Sequence, residues 1–307
     1  MSNYKNFELE GRSVCITGGG GFIGSRFIEI AEKHQADVTK LNRNTLNGEL
    51  LLNADTDFIV HLAGQKSLGL AAKQPVETLE AEFRMAISLL EAARLMEKPP
   101  RKILLVSSVG VYDGEGKVSE SDPNFVSSIY TASKMNIENL GRAYAEEYGL
   151  PVIIARLSNV YGPGQTKEAL VPSIINQMNR NISESGKIML GNIKSVRDFI
   201  FIDDVVEGFI KLLLRPTSSG EVFNVSTGMG HSVEEIVSIL SEHLDYRGTI
   251  NVEQTRIRPN ERQSLVASNE LLKLKTDWRP QYNLKEGLAK TVSYYAKIKG
   301  LGENRVL

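Results

Sequence analysis

The chain has 307 residues, 41% of them apolar, which is enough for one large or two ordinary domains around a substantial core. Its 36 Lys and Arg against 37 Asp and Glu leave a net charge of -1, which excludes the basic footprint of a nucleic-acid binder and a general attraction to membrane surfaces. A single cysteine, Cys15, excludes a disulfide framework and a thiolate metal site, and no metal is expected elsewhere. The polar residues 1–6 form no signal core, and no apolar run approaches the roughly 20 residues that span a bilayer, so the expected location is cytoplasmic.

A strand is predicted over 14–17, a helix over 22–33, and between them runs Thr17-Gly18-Gly19-Gly20-Gly21-Phe22-Ile23-Gly24. Gly18 permits a tight strand-to-helix turn, Gly21 lets the backbone approach a pyrophosphate, and Gly24 lets the helix pack closely on the sheet. Free N–H groups and the positive helix end then hold the anion. A second strand, 38–41, ends at Asn42-Arg43, and residues 42–56 are too few for a full strand and helix, so an abbreviated or irregular crossover is expected there. Strands follow at 58–62, 103–107 and 152–156. A helix over 79–96 carries Leu79, Phe83, Ala86, Leu90 and Ala93 at helical spacing, and one over 129–148 carries Ile137, Leu140 and Tyr144.

This alternation predicts the α/β class: a doubly wound parallel Rossmann sheet that binds ligands at the carboxyl ends of its strands. After Arg156 the pattern loosens, with a turn at 161–164 and helices over 171–178 and 233–244 among short strands. The expected division is a dinucleotide-binding domain over 1–165 and a smaller α/β substrate-binding domain mainly over 166–307. The apolar runs 199–202 and 223–225 are candidates to return to the first sheet.

Tyr130 and Lys134 are four residues apart, hence on one face of a helix. A free tyrosine titrates near roughly pH 10, and lowering that by about 3 units needs roughly 4 kcal/mol of preferential phenolate stabilisation, which an ammonium and a cofactor's positive ring can supply. Tyr130 could then exchange protons near neutral pH. Ser108 follows a strand end, where its hydroxyl could hold a substrate oxygen; Ser107 and Ser108 could instead cap or turn the chain.

Taken in order, these segments resemble the extended short-chain dehydrogenase/reductases, specifically their nucleotide-sugar epimerase and dehydratase branch. Residues 17–24 are similar to the TGxxGxxG loop, 57–64 to the DxVxHLAA strand, 107–112 to the catalytic-serine segment, and 130–134 to YxxxK. Residues 156–163 resemble RxxNxYGP, 197–200 RDFI, and 258–261 the late RPGD or RPGE turn. The resemblance covers nearly the whole chain. It implies that Tyr130 is the acid/base, that Lys134 assists it and holds the nicotinamide ribose, and that Ser108 bonds the reacting sugar oxygen. It also implies that Gly18, Gly21, Phe22, Ile23, Gly24, Leu62, Ala63, Gly64 and Lys66 contact the cofactor, and that Asn159, Arg197 and Arg258 contact a nucleoside-diphosphate sugar. Asp198 offers Arg197 an ordinary ion-pair alternative, and His61 reads as structural. Homodimers paired through the helices 79–96 and 129–148 are a further implication.

Three departures qualify this reading. Asn42, followed by Arg43, replaces the acidic residue that would bond the adenosine ribose; both NAD and NADP remain open, and the pair leans toward NADP. Val109 and Gly110 occupy the positions where dehydratases of the family carry Asp-Glu, and neither can transfer a proton, which argues against a 4,6-dehydratase. Glu82 stands where the family usually has Asn. The implied activity is epimerisation at carbon 4 of a nucleoside-diphosphate hexose by transient hydride transfer; the alternatives are an NADPH-dependent keto-sugar reductase and a non-catalytic cofactor-sensing protein.

Overall fold

The computed structural model describes residues 9–41, 52, 55–64, 68–181, 186–257 and 261–298. In chain order the first half comprises β1 (Ser13–Thr17), α1 (Phe22–Lys33), β2 (Asp37–Leu41), β3 (Phe58–His61), α2 (Leu68–Lys73), α3 (Pro75–Arg94), β4 (Lys102–Ser108), β5 (Gly116–Val118), α4 (Ile129–Tyr148) and β6 (Val152–Leu157). The second half comprises β7 (Asn159–Tyr161), α5 (Leu170–Asn181), β8 (Lys187–Leu190), β9 (Val196–Phe201), α6 (Ile202–Leu214), β10 (Val222–Val225), β11 (Gly230–Ser232), α7 (Val233–Leu244), β12 (Thr249–Val252), β13 (Ser264–Ala267), α8 (Glu270–Thr276) and α9 (Leu284–Ile298).

Six strands form one parallel sheet in the order β10-β6-β4-β3-β1-β2. Its inner strands are mainly apolar because both faces are covered, with Thr17, His61, Ser107 and Arg156 as buried polar exceptions toward their carboxyl ends. Phe27, Ile30, Phe209 and Leu212, from α1 and α6, lie on one side, and Leu89, Leu90 and Ile137, from α3 and α4, lie on the other. From β1 the chain steps to β2 on one side, then returns to β3 on the other. The connections therefore diverge above β1 and β3, opening a crevice at their carboxyl ends.

Of the two runs that were candidates to rejoin this sheet, only one does so. β10 pairs with β6 and buries Phe223 and Val225 in the first core. β9 is a correction: it belongs to a second sheet, pairing in parallel with β7 and β13 and antiparallel with β11. Phe199 and Phe201 pack with Tyr161, Ile174, Leu240 and Leu288 in a separate core. β5 extends the second sheet beyond β13, and the small pair β8 and β12 completes the strands of the described residues.

The helices also differ from expectation in detail. α3 starts at Pro75, whose fixed φ and missing N–H suit a first helical position. Its buried face is Thr78, Glu82, Met85, Ala86, Leu89, Leu90 and Ala93, whereas Phe83, expected inside, is 44% exposed. The stripe is rotated because α3 packs on α4, bringing Glu82 to Lys134. Most of the expected irregular crossover, 42–56, lies outside the described residues. No helix among the described residues is long and apolar enough to cross a membrane.

Candidate active site

The glycine loop closes over the crevice between β1 and β3. Gly18 has φ +71°, and a Cβ there would lie 2.7 Å from the backbone of both Leu62 and Ala63. A Cβ on Gly24 would lie 2.3 Å from the Gly18 carbonyl oxygen, so α1 can approach the sheet only with glycine there. Gly21 donates its N–H to the Gly18 carbonyl at 2.9 Å and stands at the N-cap of α1 without a capping side chain. The opening turn of α1 thus presents backbone donors and its positive end to the cleft, which fits a pyrophosphate.

Gly18, Gly21, Phe22, Ile23, Gly24, Leu62 and Gly64 line the same cavity as Ser108, Tyr130 and Lys134. Ala63 anchors it instead, donating its N–H to Oγ1 of Thr17 at 3.2 Å. Asn42, Arg43, Lys66 and Arg258 lie outside the described residues. The donors, the glycine clearances and the adjoining Lys134 fit a nicotinamide dinucleotide.

Local sequence fixes the placement of Tyr130. Oγ of Ser128 accepts the Thr131 N–H at 3.1 Å, and Oγ1 of Thr131 accepts the N–H groups of Ser127 and Ser128 at 3.0 and 2.9 Å. This reciprocal cap starts α4 at Ile129. Tyr130 and Lys134 then share a face, with Nζ 5.6 Å from the phenol ring centroid. Nζ also donates to both carboxylate oxygens of Glu82, at 3.3 and 3.2 Å.

The two serines that end β4 have separate partners. Oγ of Ser108 accepts the Gly110 N–H at 3.1 Å, capping a short turn at Val109–Val111 while the residue still faces the cavity. Ser107 turns inward and donates to Oε1 of Glu138 at 2.6 Å. Below it, Glu138 accepts from Nε and Nη2 of Arg156 at 2.8 and 2.6 Å, and the Arg156 guanidinium lies 4.6 Å from the Tyr112 ring centroid. His61 is buried with Nδ1 2.8 Å from Oγ1 of Thr17; burial first, and then the Lys134 charge, push its imidazolium down to about 3, so the ring is neutral at physiological pH. It serves the sheet. Cys15 is likewise a core residue, its thiol pushed up to about 12 by burial.

Beyond Tyr130 the cavity widens into a cleft walled partly by the second sheet, where Asn159 and Arg197 join Ser108. Arg197 donates from Nη1 to the Val196 carbonyl and from Nη2 to the Arg262 carbonyl, both at 2.8 Å, and lies 3.6 Å from Glu261. Asp198 is turned to other partners: it is buried and accepts from Ser158, Thr227 and Gly228. Arg256, Arg262 and Gln165 also line this cleft and were not foreseen. Arg256 and Arg262 flank the late RPGE-like turn, a basic cluster that was legible; Gln165 follows a glycine turn and gave no signal. Chemically, the arrangement joins an anion cradle, a phenol beside an ammonium, and a cleft with several guanidinium groups at its far end.

Residues 14–226 match the model of the NAD dependent epimerase/dehydratase family. The human dTDP-D-glucose 4,6-dehydratase is 28% identical over 324 residues, covering 92% of this chain and 90% of that protein. Among solved structures, the UDP-glucose 4-epimerase of Thermotoga maritima with UDP-glucose is similar at a TM-score of 0.81 and 25% identity, covering 94% of this chain and all of that one. The Thermus thermophilus UDP-glucose 4-epimerase in complex with NAD is similar at 0.78 and 26%, covering 92% and 98%.

Proposed function

This chain belongs to the NAD dependent epimerase/dehydratase family and is an NAD(P)-dependent nucleotide-sugar enzyme, and within that family we propose that it is an epimerase acting at carbon 4 of a nucleoside-diphosphate hexose. The observation that carries this reading is the convergence of Ser108, Tyr130 and Lys134 beside the glycine cradle, with Val109 and Gly110 at the next two positions. When bound, a nicotinamide supplies a hydride acceptor and donor. Tyr130 takes the proton from the sugar hydroxyl and returns it, Ser108 holds that oxygen, and Lys134 favours the phenolate. Val109 is buried and apolar and Gly110 has no side chain, so neither can protonate a leaving hydroxyl as elimination requires.

Arg197, Arg256 and Arg262 at the far end of the cleft suit a diphosphate, and Asn159 suits the sugar side. Either NAD or NADP serves this reading; Asn42 and Arg43 favour NADP. The same pair favours a second reading, an NADPH-dependent reductase of nucleotide 4-keto sugars. The division at residue 165 and a homodimer through the outer faces of α3 and α4, where Val76, Phe83 and Tyr148 are exposed, complete the proposal.

One assay separates the readings. Purified protein is incubated with UDP- and dTDP-hexoses and catalytic NAD or NADP. Interconversion of two epimers with no net change in reduced-nicotinamide absorbance is expected. Stoichiometric loss of NADPH with a 4-keto sugar would favour the reductase, and failure of Tyr130→Phe to alter any turnover would remove the catalytic assignment.

A further inference from the structure

We propose that Glu82 is a positioning residue of this active site, one that sets the net charge acting on Tyr130; the inference rests on Tyr130 being the acid/base. The Glu82 carboxylate is 2% exposed and meets Nζ of Lys134 through both oxygens. The ion pair borders the cavity beside Gly64, Ser108 and Tyr130. Gly64 supplies its space: a Cβ there would lie 2.8 Å from Oε1 of Glu82 and 3.0 Å from Nζ of Lys134.

A lone ammonium near a phenol favours phenolate, and a buried carboxylate against that ammonium offsets much of the field. Among the described residues, the other groups around Lys134 do not supply that offset. His61, from β3, is neutral; Ser108, from β4, is uncharged; and on α4 itself Glu138 is matched by Arg156 and Arg142. Glu82, from α3, is therefore the anion that decides how much of the Lys134 charge reaches Tyr130. Its two-point grip also fixes where Nζ sits.

The test reads the phenol directly, without turnover. Phenolate absorbance of cofactor-free protein is titrated with pH, and subtracting the Tyr130→Phe trace isolates Tyr130 from the other tyrosines. In Glu82→Gln the Tyr130 transition is expected to move to lower pH by about one unit. The acid limb of kcat/KM with a nucleotide sugar should move with it, while KM for the sugar stays within about threefold. Glu82→Asp should restore the original limb. Coincident titrations of the folded wild-type and Glu82→Gln proteins would overturn the proposal. Glu82→Asn, with a shorter neutral amide, carries the same expectation if Glu82→Gln does not fold. A shifted phenolate transition in a protein that turns over no nucleotide sugar would sink the epimerase reading and leave the Glu82 assignment standing.

Discussion

Two buried ion pairs stand one turn apart on α4, and they are built for different tasks. Glu138 faces the sheet and is surrounded by donors: Nε and Nη2 of Arg156 at 2.8 and 2.6 Å, Ser107 at 2.6 Å, and Arg142 at 3.2 Å. Lys134 faces the cleft, and its bonds to Glu82 are longer, 3.2 and 3.3 Å. One helix thus carries a closely held anchor and, a turn earlier, a looser pair at the wall of the cavity. The first is enclosed by several hydrogen bonds; the second keeps one side toward the open space of the cleft.

Breaking the anchor should have the largest effect. Glu138→Gln leaves the Arg156 guanidinium buried against a neutral group, and a loss of about 3–5 kcal/mol in stability is expected in denaturant unfolding. A smaller loss would mean that the anchor is less enclosed than its geometry indicates. Asp204 sharpens the contrast from the other side, because its hydrogen bonds come from the backbone N–H groups of Gln281 and Tyr282 and burial pushes its carboxyl up to about 6. Its folded value lies above the ordinary 3.8, so its contribution is full below about pH 4 and is lost as the pH rises through 6. The change is at most about 3 kcal/mol, at 1.36 kcal/mol per unit. Asp204→Asn should flatten the dependence of Tm on pH between 4 and 7.

At the cleft the readout changes from stability to turnover. Lys134→Met is expected to lower kcat by roughly 100-fold, about 2.7 kcal/mol of barrier. The adjacent serines give the finest comparison. Ser107→Ala should cost about 1–2 kcal/mol of stability with turnover retained, because it removes a hydrogen bond to a buried carboxylate. Ser108→Ala should lower kcat about tenfold with stability within about 0.5 kcal/mol. An exchange of these two outcomes would reverse the assignment of the inward and outward hydroxyls.

How much of this was legible followed from where each interaction partner lies. The strands 14–17, 58–62, 103–107 and 152–156 read clearly because parallel strands buried on both faces are continuous apolar runs, and each appears within one residue of its expected ends. The helix 129–148 read equally well, its start marked by Ser128 and Thr131 and its end by Gly149 at φ +68°. β9 and β10 were harder. Their sequences, Val196–Phe201 and Val222–Val225, are similarly apolar, and which sheet receives each is decided by pairing partners far away in the chain. The α3 stripe misled because Phe83 and Leu79 are apolar and Glu82 is not, although Glu82 lies at helical spacing with Met85, Ala86 and Leu89. A carboxylate in that register is a signal: it belongs inside only if a cation waits there. Gly18, Gly24, Ser108, Tyr130 and Lys134, which line the cavity, were singled out from local pattern, and Arg256 and Arg262 belong to a basic stretch that could have been read the same way, whereas Gln165 reaches the cleft through loop geometry that local pattern does not encode.

The clearance at Gly64 also ties residue 64 to residue 82. With Glu82 present, a methyl group on residue 64 would press on the ends of both members of the ion pair, and they would have to shift to admit it. The effect of alanine at 64 therefore depends on the length of the side chain at 82: the two positions are coupled, and a change at one alters the cost of a change at the other.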